Sequence, residues 1–322
     1  SQTILVLLAV AKFQAIDRFQ ISTDTGKVLT CNHLVVATGR TPFFPSVLNA
    51  VDSNNIVHGA AFNSIIDRIV SGDVRSVAVV GGSQSAIEIM IYLASTFPQV
   101  TVHGVSRKFG YRLKDTSPFT GEVYFPEFVD LFYKSKPAHK QRLKDDLNLT
   151  NYSASDADVL DELYRTLYRD KHFGNNKLTI HNSVEIASAV MIGSKVSLEL
   201  VTAHSDEEIK SVEVDLIVSA TGFRDIGPLE HQEVCPPLLD TLYPHIDKSD
   251  QGEMQVGRDY RLGLVDFDDA GLYLNGLCES SHGMGDAGSL SLVSIRAKQI
   301  VESIHRLRAQ ASPIAQPLEA EA

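Results

Sequence analysis

Apolar positions along the chain alternate in some stretches and recur every three to four residues in others, and the two periods predict different elements. Phe19-Gln-Ile-Ser-Thr23 alternates as a half-buried strand, and Asp24-Thr-Gly26-Lys27 reads as the turn after it. Leu34-Val-Val-Ala37 and Val77-Ala-Val-Val80 are unbroken apolar runs of strand length, the pattern of strands buried on both faces. The second run passes through Gly81-Gly82-Ser83-Gln84-Ser85-Ala86 into Ile87, Met90, Ile91 and Ala94 at helical spacing, then into a strand from Val100 to Val105. Strand, glycine turn, helix and strand make a βαβ unit of about 30 residues.

From 115 to 172 the period is helical. Pro126 fits the first turn of a helix through Phe128, Leu131 and Phe132. Ser155-Asp-Ala-Asp158 reads as a capping box opening a second helix through Leu160, Leu163 and Leu167, closed near Gly174. Strand period returns over 177–220: Val196, Leu198 and Leu200 alternate, and an acidic loop, Ser205 to Glu208, precedes a stretch from Val212 to Ala220. Residues 235–262 are rich in Pro and Gly. Leu292, Val293, Ile295, Ala297, Ile300, Val301 and Ile304 mark a last helix, with His305, Arg306 and Arg308 at its C-terminal end, where the dipole favours them. Residues 309–322, mostly Ala, Pro and Glu, read as a disordered tail. The alternation of strands and helices predicts an α/β fold around a Rossmann-like domain with a helical insertion.

The 322 residues carry 29 Lys+Arg against 40 Asp+Glu, a net charge of −11. At 43% hydrophobic and 21% charged, the chain can build a packed core, which excludes global disorder. An acidic chain without a Lys/Arg run is not expected to bind nucleic acid. The apolar run Ile4 to Ala11 is too short to span a membrane. It has no basic residue before it and no small-residue cleavage site after it, so it reads as a buried strand. Cys31, Cys235 and Cys278 lie far apart, which fits a reducing cytoplasm rather than a disulfide framework or a metal site.

Backbone N–H groups at a strand-to-helix turn, with the helix dipole behind them, hold a pyrophosphate. The segment from Gly81 to Ala86 supplies such a turn. Ser83 stands at the second glycine position of the dinucleotide fingerprint, and Ala86 at the third, where alanine is allowed. After the next strand an NAD site wants an acidic residue, but this chain has Ser106-Arg107-Lys108. A guanidinium there pairs with a 2′-phosphate, worth roughly 1.5–3 kcal/mol, so NADP(H) is expected over NAD(H). Two buried strands end in Ala-Thr-Gly, at Thr38-Gly39 and at Thr221-Gly222. Small residues there let backbone pass close to a cofactor or a crossing chain.

With these motifs the chain resembles the flavin-dependent N-hydroxylating monooxygenases, specifically the L-ornithine N(5)-monooxygenases of fungal siderophore biosynthesis, with the L-lysine N(6)-hydroxylases as near relatives. The carriers are Val79 to Glu88, Asp115 to Phe119, Glu122 to Asp130, Thr150 to Ser153, Leu163 to Tyr168, the second Ala-Thr-Gly, Arg258 to Arg261 and His282-Gly283. The resemblance implies an oxidoreductase that uses FAD and NADPH. NADPH reduces the flavin, O2 is taken up, and one oxygen passes to the side-chain amine of L-ornithine or a related amine. NADP+ stays bound and keeps water out. By the same resemblance Gln84 and Ser85 contact NADP(H), Arg107 takes the 2′-phosphate, Asn151 helps hold the amino-acid substrate, and Met284 to Asp286 line the flavin ring. A homo-oligomer is the family habit, which nothing in this sequence decides, and no membrane partner is implied.

Three departures accompany the likeness. Gly121 stands before Glu122-Val-Tyr where ornithine enzymes have Asn, and Gly285 stands where they have Ser; each removes a polar contact to the substrate. His58 precedes the glycine turn, but Asp52 and Asn54 replace the Phe and Gly of the Baeyer–Villiger motif. Family members open with their own GxGxxG unit for FAD, and none stands before Leu34. Residues 1–46 are therefore expected to be a remnant of the FAD-binding domain, 47–229 the NADP-binding domain with its insert at 115–172, and 230–308 the C-terminal part of an incomplete, second Rossmann-like FAD domain. The alternative expectation is a truncated, non-catalytic NADP(H)-binding relative that has lost its flavin.

Overall fold

The computed structural model describes residues 12–15, 19–202, 208–250, 252–265, 270–287 and 289–311. The chain divides into two units. Unit 1 is Ser1–Thr41, Glu122–Lys140 and Arg224–Ala322; unit 2 is Pro42–Gly121 and Gln141–Phe223. Unit 1 opens with the antiparallel strands β1 (Lys12–Ala15), β2 (Phe19–Ser22) and β3 (Val28–Cys31), followed by β4 (His33–Val36).

Unit 2 is built on five parallel strands: β5 (Ile56–His58), β6 (Ser76–Val80), β7 (Thr101–Ser106), β8 (Leu178–Asn182) and, later in the chain, β12 (Leu216–Ser219). Their order is β5-β12-β6-β7-β8. Helices α1 (Ile66–Ser71) and α2 (Gln84–Thr96) precede α3 (Pro126–Lys134) of unit 1 and α4 (Pro137–Leu147), and α5 (Ala157–His172) then packs on α2. An antiparallel meander of β9 (Val184–Ile192), β10 (Lys195–Thr202) and β11 (Glu208–Val214) completes the unit.

The unbroken apolar runs have a simple cause. Val77 and Val79 pack with Ile87, Met90 and Leu93 of α2, whereas Ala78 and Val80 pack with Val196, Leu198 and Leu200 of the meander. Leu216 and Val218 face the first layer and Ile217 the second. Successive strand side chains point to opposite faces, so a strand between two layers must be apolar at every position.

In unit 1, β13 (Asp225–Ile226) and β14 (Gln232–Glu233) form a short parallel pair. Strand β15 (Arg261–Leu262) is antiparallel to β16 (Gly271–Leu274), which runs parallel to β4. Helices α6 (Glu279–His282), α7 (Met284–Ala287) and α8 (Val293–Ala311) follow. The core gathers Phe19, Ile21, Leu34, Val36, Leu272 and Leu274 with Ile300 and Leu307 of α8.

Several local expectations are corrected. Ser155 is not a helix cap: its N–H donates to Arg112 O and its C=O accepts from Lys114 N–H, so backbone pairing holds it extended. Asp156 is the N-cap residue, without a side-chain cap bond. The stretch from Val212 to Ala220 is broken at Asp215, whose Oδ2 accepts from Arg75 N–H, Ser76 N–H and Ser76 Oγ–H and so fixes the change of sheet. Residues 309–311 belong to α8, because the helix continues past its last core contact at Leu307. Glu122–Lys140 falls in unit 1, where the sequence put the whole of 115–172 with the NADP-binding residues. The run Ile4 to Ala11, residues 205–207 of the acidic loop and residues 312–322 lie outside the described residues.

Candidate functional site

Sheet order places the glycine turn of unit 2 in a defined crevice. The chain steps from β6 to β7 to β8 in one direction, and β12 lies on the other side of β6. The carboxyl ends of β6 and β12 thus flank the point where strand order reverses, which is where open α/β sheets bind ligands. Gly81 follows β6 with φ of +152°, and a Cβ there would collide with the carbonyl oxygen of Ala220, which follows β12. A Cβ on Gly82 would come 3.2 Å from Ser106 Oγ. Gly81 is therefore required by close approach of backbone, whereas a side chain at Gly82 would need only a small shift of the Ser106 hydroxyl.

Ser83 is the extended N-cap residue of α2; its C=O accepts from Ala86 N–H and Ile87 N–H, and its side chain makes no cap bond. Ser85 is exposed in the first turn, and Ala86 is fully buried beneath it. Gln84 is engaged within the protein. Its N–H donates to Ala154 O (3.2 Å), its Oε1 accepts from Asp156 N–H (3.3 Å) and its Nε2 donates to Glu88 Oε1 (2.8 Å). This clasp joins the α2 turn to the segment ahead of α5. Arg107 is the first residue past β7, exposed and without an ion pair among the described residues. An unopposed guanidinium beyond the second strand, beside a helix N-terminus, fits a phosphorylated ribose.

The second Ala-Thr-Gly accommodates a crossing chain. Thr221 Oγ1 donates to Phe43 O, and Gly222 O accepts from Phe43 N–H (3.0 Å) and from His58 Nε2 (2.8 Å). His58 is buried, edge-on to Phe44 and Phe223, and its Nδ1 accepts from Ala60 N–H. Burial lowers its pKa, with the Gly222 carbonyl pulling the other way. Asn151 ends a 3-10 turn, exposed, three positions before Ala154 of the clasp.

In unit 1, Thr38 and Gly39 follow β4 with exposed backbone, Gly39 at φ of +77° with open space around it. Met284 and Asp286 of α7 are buried. Asp286 Oδ1 pairs with Arg296 at 3.4 Å, and the carboxylate also faces the Tyr260 hydroxyl as a hydrogen-bond partner. Burial raises the Asp286 pKa against the pull of Tyr260 and Arg296. His282 is fully buried, stacked on Tyr260 at 4.3 Å, with Nε2 donating to Arg258 O, and burial pushes its pKa down to about 3. It is a satisfied core histidine. A Cβ at Gly285 would overlap the Val123 carbonyl, so the local packing has no room for any side chain there.

The units thus hold separate parts of the expected set: Gly81 to Ala86, Arg107, Asn151, Thr221 and Gly222 in unit 2, and Thr38, Gly39, Met284 and Asp286 in unit 1. Sequence reasoning missed the Gln84 clasp, which left no local signal. It also missed Arg296, which is 4% exposed. A signal existed there, since position 296 is one turn from both Leu292 and Ile300 of the apolar stripe. No group of three or more His, Cys, Asp or Glu among the described residues is placed to hold a metal ion. No helix among them is long and apolar enough to cross a membrane.

The family model described as L-lysine 6-monooxygenase/L-ornithine 5-monooxygenase matches residues 7–225. The L-ornithine N(5)-monooxygenase of Pseudomonas aeruginosa is 31% identical over 284 residues, covering 87% of this chain and 60% of that protein. The L-ornithine N(5)-oxygenase of Arthrobotrys oligospora is 29% identical over 304 residues, 90% of this chain and 61% of that protein. The chain therefore spans about 60% of the length of these curated relatives. Among solved structures, the reduced ornithine hydroxylase of Pseudomonas aeruginosa superposes with a TM-score of 0.80 at 27% identity, covering 94% of this chain and 70% of that one. The ornithine N-hydroxylase of Kutzneria sp. 744, solved with reduced FAD, NADP+ and L-ornithine, gives 0.79 at 27% identity, covering 94% and 71%.

Proposed function

Since the chain belongs to the L-lysine 6-monooxygenase/L-ornithine 5-monooxygenase family, we propose that it acts in NADPH- and FAD-dependent N-hydroxylation of the side-chain amine of L-ornithine, or of a related amine, for hydroxamate siderophore synthesis. The observation that carries this reading is the glycine turn at the strand-order reversal with the unopposed Arg107 past the next strand. The α2 turn receives the pyrophosphate of NADP(H) on its backbone amides, and Arg107 receives the 2′-phosphate. Gln84 acts one step back, holding the turn in shape through Ala154 and Asp156. In unit 1, the exposed Thr38-Gly39 segment and the α7 residues Met284 and Asp286 would hold the flavin side. When bound, the flavin supplies O2 activation and NADPH the reducing equivalents. Asn151 offers an exposed amide for the polar end of the substrate.

The test is reconstitution of the purified chain with FAD, followed by NADPH oxidation and hydroxylamine assay with and without L-ornithine and other amines. A yellow protein with amine-stimulated NADPH oxidation and hydroxylated product supports the proposal. A protein that binds NADP(H) but stays colourless after reconstitution overturns it in favour of an NADP(H)-binding relative without flavin.

A further inference from the structure

The two segments assigned to the flavin side come from opposite ends of the chain, and a buried arginine joins them. Thr38-Gly39 follows β4, whereas Met284 and Asp286 lie on α7. Arg296, in the first turn of α8, is 4% exposed and reaches toward both. Its Nε–H donates to Asn275 Oδ1, and its other end pairs with Asp286 Oδ1 at 3.4 Å. Asn275 follows β16, and its backbone N–H donates to the Val36 carbonyl at the end of β4 (2.8 Å), two residues before Thr38. On the other flank Arg40, directly after Gly39, pairs with Glu279 of α6 at 2.9 Å. Tyr260 adds a further tie: its carbonyl accepts from Leu274 N–H (3.0 Å), and its hydroxyl is a hydrogen-bond partner of Asp286. This frame leaves Thr38 and Gly39 exposed, with open space at Gly39, so a ligand can lie against their backbone.

Packing alone does not call for an arginine at position 296. Its neighbours one turn away on the buried face, Leu292 and Ile300, are apolar, and replacing a buried ion pair by apolar groups of like volume is often neutral or stabilising. The first turn of a helix also disfavours a cation, because the dipole is positive there. What an arginine adds is geometry: a rigid, planar fork whose nitrogens hold two acceptors at a fixed separation. Here one acceptor belongs to the loop bonded to the end of β4 and the other to α7.

We propose that Arg296 is a positioning residue of the flavin site: through Asn275 and Asp286 it fixes the end of β4 and α7 at one spacing, so that the Thr38-Gly39 backbone and the α7 residues receive FAD together. The inference rests on the assignment of FAD to unit 1. Its test is titration of the full chain with FAD, read as the dissociation constant and the visible spectrum of the bound flavin, beside the melting midpoint and the affinity for NADP+. Arg296→Met with Asp286→Asn leaves no unpaired buried charge. This double variant is expected to keep NADP+ binding and a midpoint within about 3 °C of the parent, and to weaken FAD at least about tenfold. Asp286→Asn alone, which keeps the arginine on Asn275, is expected to weaken FAD less than the double variant does. Arg296→Lys keeps the charge but replaces the fork by a single ammonium, and is expected to fall between the parent and the double variant. A double variant that binds FAD with the parent's constant overturns the proposal. So does an Asp286→Asn variant as weak as the double, which leaves Arg296 with charge balance alone. So does loss of FAD only in step with a falling midpoint, which makes Arg296 a residue of the fold. A parent that binds NADP+ but takes up no FAD overturns the flavin assignment and this inference with it, and the colourless parent tells that case from the other three.

Discussion

At the scale of single residues, two glycines that look alike in the sequence differ in what surrounds them. At both Gly121 and Gly285 the resemblance leads one to expect a polar side chain, yet a Cβ at 121 meets nothing within 4 Å, whereas one at 285 overlaps the Val123 carbonyl. Gly285→Ser is therefore expected to lower stability by about 1–3 kcal/mol, the usual cost of overpacking, and Gly121→Asn to change it by less than about 0.5 kcal/mol. Urea denaturation of the two variants checks this, and equal losses would contradict it. His282 sets a pH dependence. Its pKa in the fold is about 3 against an ordinary 6.5, so only the unfolded chain takes up its proton on mild acidification. That contribution to stability is present above pH 6.5 and is lost as pH falls toward 3, at about 1.4 kcal/mol per pH unit for the one group. In His282→Gln the slope between pH 6.5 and 5 is expected to shrink by that amount; an unchanged slope would assign the acid sensitivity elsewhere.

At the scale of elements, the legible parts were those whose cause is local. The strand, glycine turn and helix at 76–96 were readable because periodicity and steric need sit in adjacent residues. The false capping box at Ser155 shows the limit, since its backbone is claimed by residues 112 and 114, which no local pattern connects to it. The bonds that join Gln84 to Ala154 and Asp156 were equally invisible in the local pattern, and they stand beside the cofactor contact the resemblance implies for that residue. These two kinds of role separate experimentally. Arg107→Ala is expected to raise the dissociation constant for NADP+ about tenfold to a hundredfold, the strength of a charge-assisted bond, and to leave NAD+ binding and stability nearly unchanged. Gln84→Ala is expected to lower stability by about 1–2 kcal/mol, by stranding the Asp156 N–H. Calorimetric titration with both nucleotides, beside a denaturation curve, distinguishes them. Equal weakening of NADP+ and NAD+ by Arg107→Ala would remove the phosphate contact from the account.

At the scale of the whole molecule, the chain leaves each unit and returns to it, and each unit has its own core. Unit 1 is assembled from three stretches of sequence, with β4 paired to β16 from the other end of the chain. Hydrophobic periodicity reports which residues are buried but not in which core, which is why residues 122–140 could not be assigned from the sequence. Two cores predict two melting transitions in scanning calorimetry, and the variants above label them. Gly285→Ser should lower one midpoint and Gln84→Ala the other, by about 2–4 °C per kcal/mol for units of this size. NADP+ at a hundred times its dissociation constant should stabilise the unit that Gln84 labels by about 2.7 kcal/mol and leave the other in place. A single transition moved by both substitutions would show that the two cores melt as one cooperative body. A nucleotide effect on the transition labelled by Gly285→Ser would place the phosphate site in the wrong unit.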